Sequence, residues 1–333
     1  MLLASAIVLV VGSLAVSAAL VVAGTDRYRT GQGDVGGPTT TPALTSQTSA
    51  NLSAATEAPA TPSPTEEPAV TAPSTPAEGL TPEERETDEV ASGGGEGPTV
   101  CLDPGHGGKD LGKTIYDAEG EIIVTESELV LAQAFELQGR LEAQGLTVVL
   151  TRTEDELVNA SGEDVNGDGE VGEDGGSTEL DDLQARINVC NAAEADLMVS
   201  LHINGSENEA LRGYEAWYTE GRPFSEDSAR ITQLIHDALA EEIAASGYET
   251  ISRGWADDSM LFPGDEGTFD NLVLTGPSVP GKIEASQMPG VIAETLFLSN
   301  EDDAAYLQTP EGKEAIVTAY ESAILEYFEI EPS

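Results

Sequence analysis

Apolar residues follow two different rules in the first ninety-odd positions and in the remainder of the chain. Leu2 to Gly24 is one uncharged apolar run, long enough to cross a bilayer at about 20 residues, and Thr25-Asp26-Arg27-Tyr28-Arg29 ends it. Beyond Pro98 short apolar runs alternate with longer segments that repeat at helical spacing. Thr99–Asp103, Leu146–Leu150, Leu197–Leu201, Tyr214–Tyr218 and Val291–Phe297 read as strands, and Leu272–Leu274 and Lys282–Ala285 as shorter ones. Glu126–Gln144 reads as a helix with an apolar face at Leu129, Leu131, Ala132, Phe135, Leu137 and Leu141. Leu180–Ala193 reads as a second helix. A third starts at the candidate cap Ser225 and stops at Gly247, and a last one starts at Pro310 after the cap Thr309. Strands alternating with helices predict an α/β fold, with a central, mostly parallel sheet flanked by helices on both faces.

Between these regions the pattern vanishes. Residues 25–97 are rich in Thr, Ser, Ala, Pro, Glu and Gly, and lack the apolar periodicity that a core requires, so a disordered stalk is expected. The domain reading is therefore 1–24 as signal peptide or N-terminal membrane anchor, 25–97 as linker, and 98–331 as a single catalytic domain with an acidic insertion at about 154–178. Small residues at Val16-Ser17-Ala18 and Ser17-Ala18-Ala19 offer cleavage sites. Either reading of 1–24 exports the rest of the chain, by secretion or by tethering to the membrane.

Composition narrows the partners. With 61 acidic and 14 basic residues the formal net charge is −47, which opposes binding to nucleic acid. Two cysteines are too few for a disulfide framework. Cys101 in a strand and Cys190 in a helix, both on apolar faces, read as buried thiols in preference to a bridge. No feature suggests self-association, so a monomer is expected.

Candidate chemistry gathers at strand ends. The chain has three histidines. Val100-Cys101-Leu102-Asp103-Pro104-Gly105-His106-Gly107-Gly108 is a strand opening into a glycine-rich loop that carries His106, and Leu197–Leu201 runs directly into His202. Ligands of open α/β sheets collect outside the carboxyl ends of the strands. Two histidines there need a carboxylate to complete a catalytic zinc site. Thr125 and Glu128 match a capping box, which leaves Glu126, at the first helical position, as the better ligand. Glu294 is the one charge in the strand Val291–Phe297 and suits a general base and acid, because a buried carboxylate is costly without a partner or a task.

These residues resemble the zinc-dependent N-acetylmuramoyl-L-alanine amidases of bacterial autolysins. The resemblance spans Pro98 to Phe328 and rests on Leu102-Asp103-Pro104-Gly105-His106-Gly107-Gly108, Thr151-Arg152, Ser200-Leu201-His202-Ile203-Asn204 and Glu294-Thr295-Leu296-Phe297-Leu298-Ser299-Asn300. It implies zinc held by His106, Glu126 and His202, with Glu294 catalytic, and cleavage of the amide between N-acetylmuramic acid and L-alanine in peptidoglycan. Two other readings stay open: a peptidoglycan-binding module without activity, and a zinc peptidase acting within the stem peptide.

Asp164, Asn166, Asp168 and Glu170 have the spacing of the first half of a calcium-binding loop, but the twelfth position is Gly175 instead of a glutamate. Calcium binding and a solvated acidic loop are both open. The polar stretch Gly254–Asn271, with Trp255 and Phe262, is a candidate part of a substrate groove. Asn204 either touches substrate or caps a turn. His236 reads as a packing or surface residue, Arg152 as structural, and one of Trp217 and Tyr218 as core.

Overall fold

The computed structural model describes residues 97–171, 176–261 and 269–332. The first 96 residues, with the anchor and linker expectations, lie outside the described residues, as do Phe262 and Gly175. No helix among the described residues is long and apolar enough to cross a membrane.

The elements in order are β1 (Thr99–Pro104), β2 (Thr114–Tyr116), β3 (Ile122–Thr125), α1 (Glu126–Ala143), β4 (Thr147–Leu150), α2 (Gly176–Ala192), β5 (Leu197–Asn204), β6 (Tyr214–Tyr218), α3 (Ser225–Ala245), β7 (Ser252–Asp257), β8 (Gly290–Phe297), α4 (Glu301–Leu307) and α5 (Pro310–Tyr327). Six strands form one sheet in the order β4-β1-β5-β8-β6-β7, and β2 pairs with β3 in a separate hairpin. Every neighbouring pair in the large sheet is parallel except β6 with β8. The expected mostly parallel α/β sheet is present.

Alternation along the central strands divides the core. Val100 and Leu102 of β1 belong to a cluster with Val130 and Leu137 of α1, Ile231 and Ile235 of α3, and Ile316 and Tyr320 of α5. Cys101, one residue out of phase, faces Ile187 and Cys190 of α2 together with Met198 and Ile292. That geometry corrects the thiol expectation. Cys101 and Cys190 form a disulfide across a Cα separation of 5.5 Å, because strand and helix turn both residues into the same small apolar layer.

Helix ends follow local chemistry with one exception. The Thr125 hydroxyl accepts from Glu128 N at 3.2 Å, and Thr309 caps α5 with Pro310 in the first turn. Ser225 does not cap α3, since Phe224 holds that position and the Ser225 hydroxyl is bonded to Arg222. The buried face of α1 is also turned from expectation, running through Val130, Ala134, Leu137 and Leu141 while Phe135 is exposed. Leu272–Leu274 and Lys282–Ala285 are not strands. Side chains take their backbone groups in place of strand partners, Asp258 accepting from Leu272 N, Gln184 bonding both N and O of Glu284 and Asn191 donating to Ala285 O, while Leu274 and Ile283 fill the cluster around the disulfide.

One buried ion pair anchors the carboxyl end of β1. Asp103 is fully buried. It accepts from Arg186 Nη1 at 2.8 Å, from Thr151 Oγ1 at 2.6 Å and from Ser200 Oγ at 2.8 Å. Burial alone would raise its pKa, but the Arg186 charge and these hydrogen bonds hold it below the ordinary value. A carboxylate with a depressed folded pKa stabilises the fold fully above its unfolded pKa near 3.9, and loses that contribution only as pH falls through the folded value.

Two outcomes are expected in denaturant melts of the full chain. Asp103→Asn, which removes one of the two carboxylates paired with Arg186 and leaves Asp182 as the other, lowers stability by about 1–3 kcal/mol at neutral pH. Reducing Cys101–Cys190, which closes a loop spanning 89 residues, lowers it by about 2–4 kcal/mol.

Candidate metal centre

The parallel pairing of β1 with β5 and of β5 with β8 brings three strand ends to one rim. His106 leaves β1 through Gly105, which donates from its backbone N to Leu201 O at 3.0 Å. His202 lies near the end of β5, in register with Glu294 of β8. Glu126 arrives from outside the sheet, at the start of α1, because the β2–β3 hairpin returns the chain to the rim. There Glu126 N donates to Lys113 O at 2.8 Å and Ser127 N to Leu111 O at 3.3 Å.

His106 Nε2 is 3.1 Å and His202 Nδ1 is 3.2 Å from Glu126 Oε1. One donor atom from each residue falls within 4.8 Å of the other two. Among the described residues this is the one group of three or more His, Cys, Asp or Glu side chains converging in that way. The structure thus brings together the three predicted ligands. Glu126 is buried and its oxygens are oriented by two backbone donors, Ile203 N at 2.9 Å and Lys113 N at 2.9 Å. Asp110 Oδ2 lies 2.9 Å from His106 Nδ1, leaving Nε2 for the centre.

The field at this spot favours positive charge. Burial pulls the His106 pKa down, but the Glu126 carboxylate and the Asp110 hydrogen bond outweigh it and push it up to about 10. Glu126 is moved the opposite way, well below the carboxylate range, as the two histidines overcome its burial. Two imidazoles and one carboxylate are a donor set that zinc takes in catalytic sites, so the residues present fit that ion.

Backbone geometry is adapted to the centre. His106 has φ 60°, a conformation uncommon outside glycine and found where surrounding structure enforces it. Two glycines allow the close approach. A Cβ on Gly105 would fall 2.2 Å from the His202 ring, and one on Gly112 would fall 2.5 Å from Glu126 Oε2 and 2.7 Å from His106 Cδ2.

Glu294 stands beside the cluster. Burial, reinforced by the Glu126 and Glu215 carboxylates, pushes its pKa up to about 7 against the opposing pull of His202 and His106. Its antiparallel partner in β6 is Glu215, which sequence reasoning missed. Glu215 accepts from Asn204 Nδ2 at 2.8 Å and from Arg253 Nε at 2.9 Å. The signal was the same as for Glu294, a single carboxylate in the strand Tyr214–Tyr218. Asn204 is buried, with its amide on Glu215 and its carbonyl oxygen accepting from Gly205 N, so it positions Glu215.

The other candidates lie apart. His236 bonds to Ser252 and Asp237 and packs near the Tyr214 ring. Arg152 is structural, donating to the carbonyls of Pro104, Gly105, Ser127 and Glu154. Trp217 is the inward residue of its pair, and Trp255 is a partly exposed member of β7 beside Tyr218. In the acidic insertion, Asp164 accepts from Gly167 N and Gly169 N, Asn166 from Asp168 N, and Asp168 from Glu170 N. The Lys282 ammonium is 3.9 Å from Asp168. These bonds account for the turns of the loop, and calcium binding gains no support from it.

Residues 100–326 match the family described as N-acetylmuramoyl-L-alanine amidase. The chain belongs to this family. Curated relatives include the N-acetylmuramoyl-L-alanine amidase LytC of Bacillus subtilis, 26% identical over 70% of this chain and 36% of LytC. The germination-specific N-acetylmuramoyl-L-alanine amidase of the same organism is 25% identical over 70% of this chain and 80% of its own length. This chain therefore spans about a third of LytC but most of the second relative. The solved structure of the CwlD amidase from Clostridioides difficile shares the fold, with a TM-score of 0.50 and 22% identity over 70% of this chain and 100% of that one.

Because Glu126 and His106 are packed directly on Gly112, Gly112→Ala is expected to weaken retention of any zinc held by this cluster at least about tenfold, as the clash displaces Glu126 or His106. Gly120→Ala, in the neighbouring turn where a Cβ meets nothing within 4 Å, retains zinc. Competition against a chelator measures both.

Proposed function

We propose that this protein hydrolyses the amide between N-acetylmuramic acid and L-alanine in peptidoglycan, as a zinc enzyme of the cell envelope. The observation that carries the reading is the convergence of His106, Glu126 and His202 on one rim, with Glu294 beside them. His106, Glu126 and His202 would hold the ion. When bound there, zinc would supply Lewis-acid polarisation of a carbonyl and would lower the pKa of water toward about 7.

The remaining chemistry belongs to the chain. Glu294 accepts a proton from the attacking water and returns it to the leaving nitrogen as the carbon–nitrogen bond breaks. The products are a lactyl carboxylate and the amine of L-alanine. Glu215, paired with Arg253 and oriented by Asn204, lies across the strand pair from Glu294 and helps raise its pKa toward neutrality. Asp110 fixes the His106 ring so that Nε2 faces the centre.

Location follows from the same reading. Cell-wall substrate and a buried disulfide both fit an extracytoplasmic protein, and residues 2–24 would supply export or a membrane tether. The protein acts as a monomer, with peptidoglycan as its partner.

The test is zinc content together with product analysis on purified peptidoglycan, for wild type and Glu294→Gln. One zinc in each protein is expected, with new L-alanine amines released by the wild type and at least about 100-fold more slowly by the variant. Cleavage at another bond would instead identify a stem peptidase. Zinc without any cleavage would identify a binding module.

A further inference from the structure

The distribution of positive charge singles out one side chain at the rim. The chain contains four lysines, and two of them, Lys109 and Lys113, lie between His106 and Glu126. Each arginine of the described fold is engaged by a carboxylate or by backbone carbonyls. Lys282 lies near Asp168. Lys109, Lys113 and Lys313 make no ion pair among the described residues, in a protein of net charge −47, and Lys313 lies exposed on α5, outside the His106–Glu126 segment. A cation left without a carboxylate is conspicuous against that background.

Lys113 is the better placed of the two. Lys109 is exposed, whereas Lys113 is half-buried. Its backbone N and O are both bonded to Glu126. Its stem lies across Gly205, just beyond β5, where a Cβ would approach Lys113 Cδ within 3.0 Å. Both ends of that placement are tied to metal-centre elements, so the four-carbon stem keeps the ammonium near the rim. The surrounding negative field repels anionic substrates, and a local cation at the rim is what recognition of a carboxylate requires.

We propose that Lys113 is a specificity residue that binds a carboxylate of the peptide stem, so that stems with a free carboxylate are favoured over amidated ones. This rests on the amidase reading and adds to it the charge of the preferred substrate.

The test uses the full chain loaded with zinc and two muropeptides, differing only in whether the stem carboxylates are free or amidated. The wild type is expected to favour the free acid about tenfold in kcat/KM, mainly through KM, as suits one charge-assisted hydrogen bond. Lys113→Met brings that ratio close to one, and Lys113→Arg keeps most of it. A wild-type ratio near one, or a ratio unchanged in Lys113→Met, overturns the proposal. Calorimetry with the corresponding sugar-free stem peptides gives a second readout that needs no turnover. A preference for the free acid that Lys113→Met abolishes, in a protein that cleaves neither muropeptide, would support the carboxylate site and refute the amidase reading. Cleavage of both without preference would do the reverse.

Discussion

Two buried guanidinium groups hold the loop on which the centre depends. Arg186, from α2, pairs with Asp103 and also donates to the carbonyls of Pro104 and His106. Arg152, after β4, donates to the carbonyls of Pro104 and Gly105 and to that of Ser127 at the start of α1. Successive carbonyls of a glycine-rich loop would otherwise be unpaired inside the protein, which is costly. Here they are fixed by two rigid forks. Like charges this close oppose each other, and Asp103, Asp182 and Asp155 offset that repulsion. The strained φ of His106 persists because its loop is held from several sides.

The disulfide joins the same two elements. Cys190 stands one helical turn beyond Arg186 on α2, and Cys101 two residues before Asp103 on β1. A covalent link and an ion pair therefore bear on one strand–helix contact. The link closes a long loop and constrains the unfolded chain, whereas the ion pair sets where the β1 end points. Their roles are separable: one acts on stability, the other on alignment.

How far the sequence could be read depended on whether a signal was local. The strands ending at His106 and His202 were legible because buried parallel strands are short apolar runs, and Thr125 disclosed both its cap and Glu126. The β2–β3 hairpin was not, since Tyr116, Ile122 and Ile123 are exposed and form no alternating pattern. The pairing of Cys101 with Cys190 needed knowledge of which face of β1 meets α2, a tertiary fact. Leu272–Leu274 and Lys282–Ala285 have strand-like composition, but the side chains of Asp258, Gln184 and Asn191 take their backbone hydrogen bonds from elsewhere in the chain. Glu215 carries the same local signal as Glu294, a single carboxylate in an apolar strand, but no motif surrounds it.

The centre takes its dimensions from the sheet. Neighbouring strands are about 4.8 Å apart by virtue of their hydrogen bonds, and His106, His202 and Glu294 come from the adjacent strands β1, β5 and β8 or directly beyond them. Their separations are thus inherited from backbone pairing, with little contribution from loop length. The acidic insertion emerges from β4 at the sheet edge, where residues can be added or lost without altering that spacing. Evolution can thus lengthen the surrounding loops, and so vary what the protein meets, while the distances between reacting groups are conserved by the architecture itself.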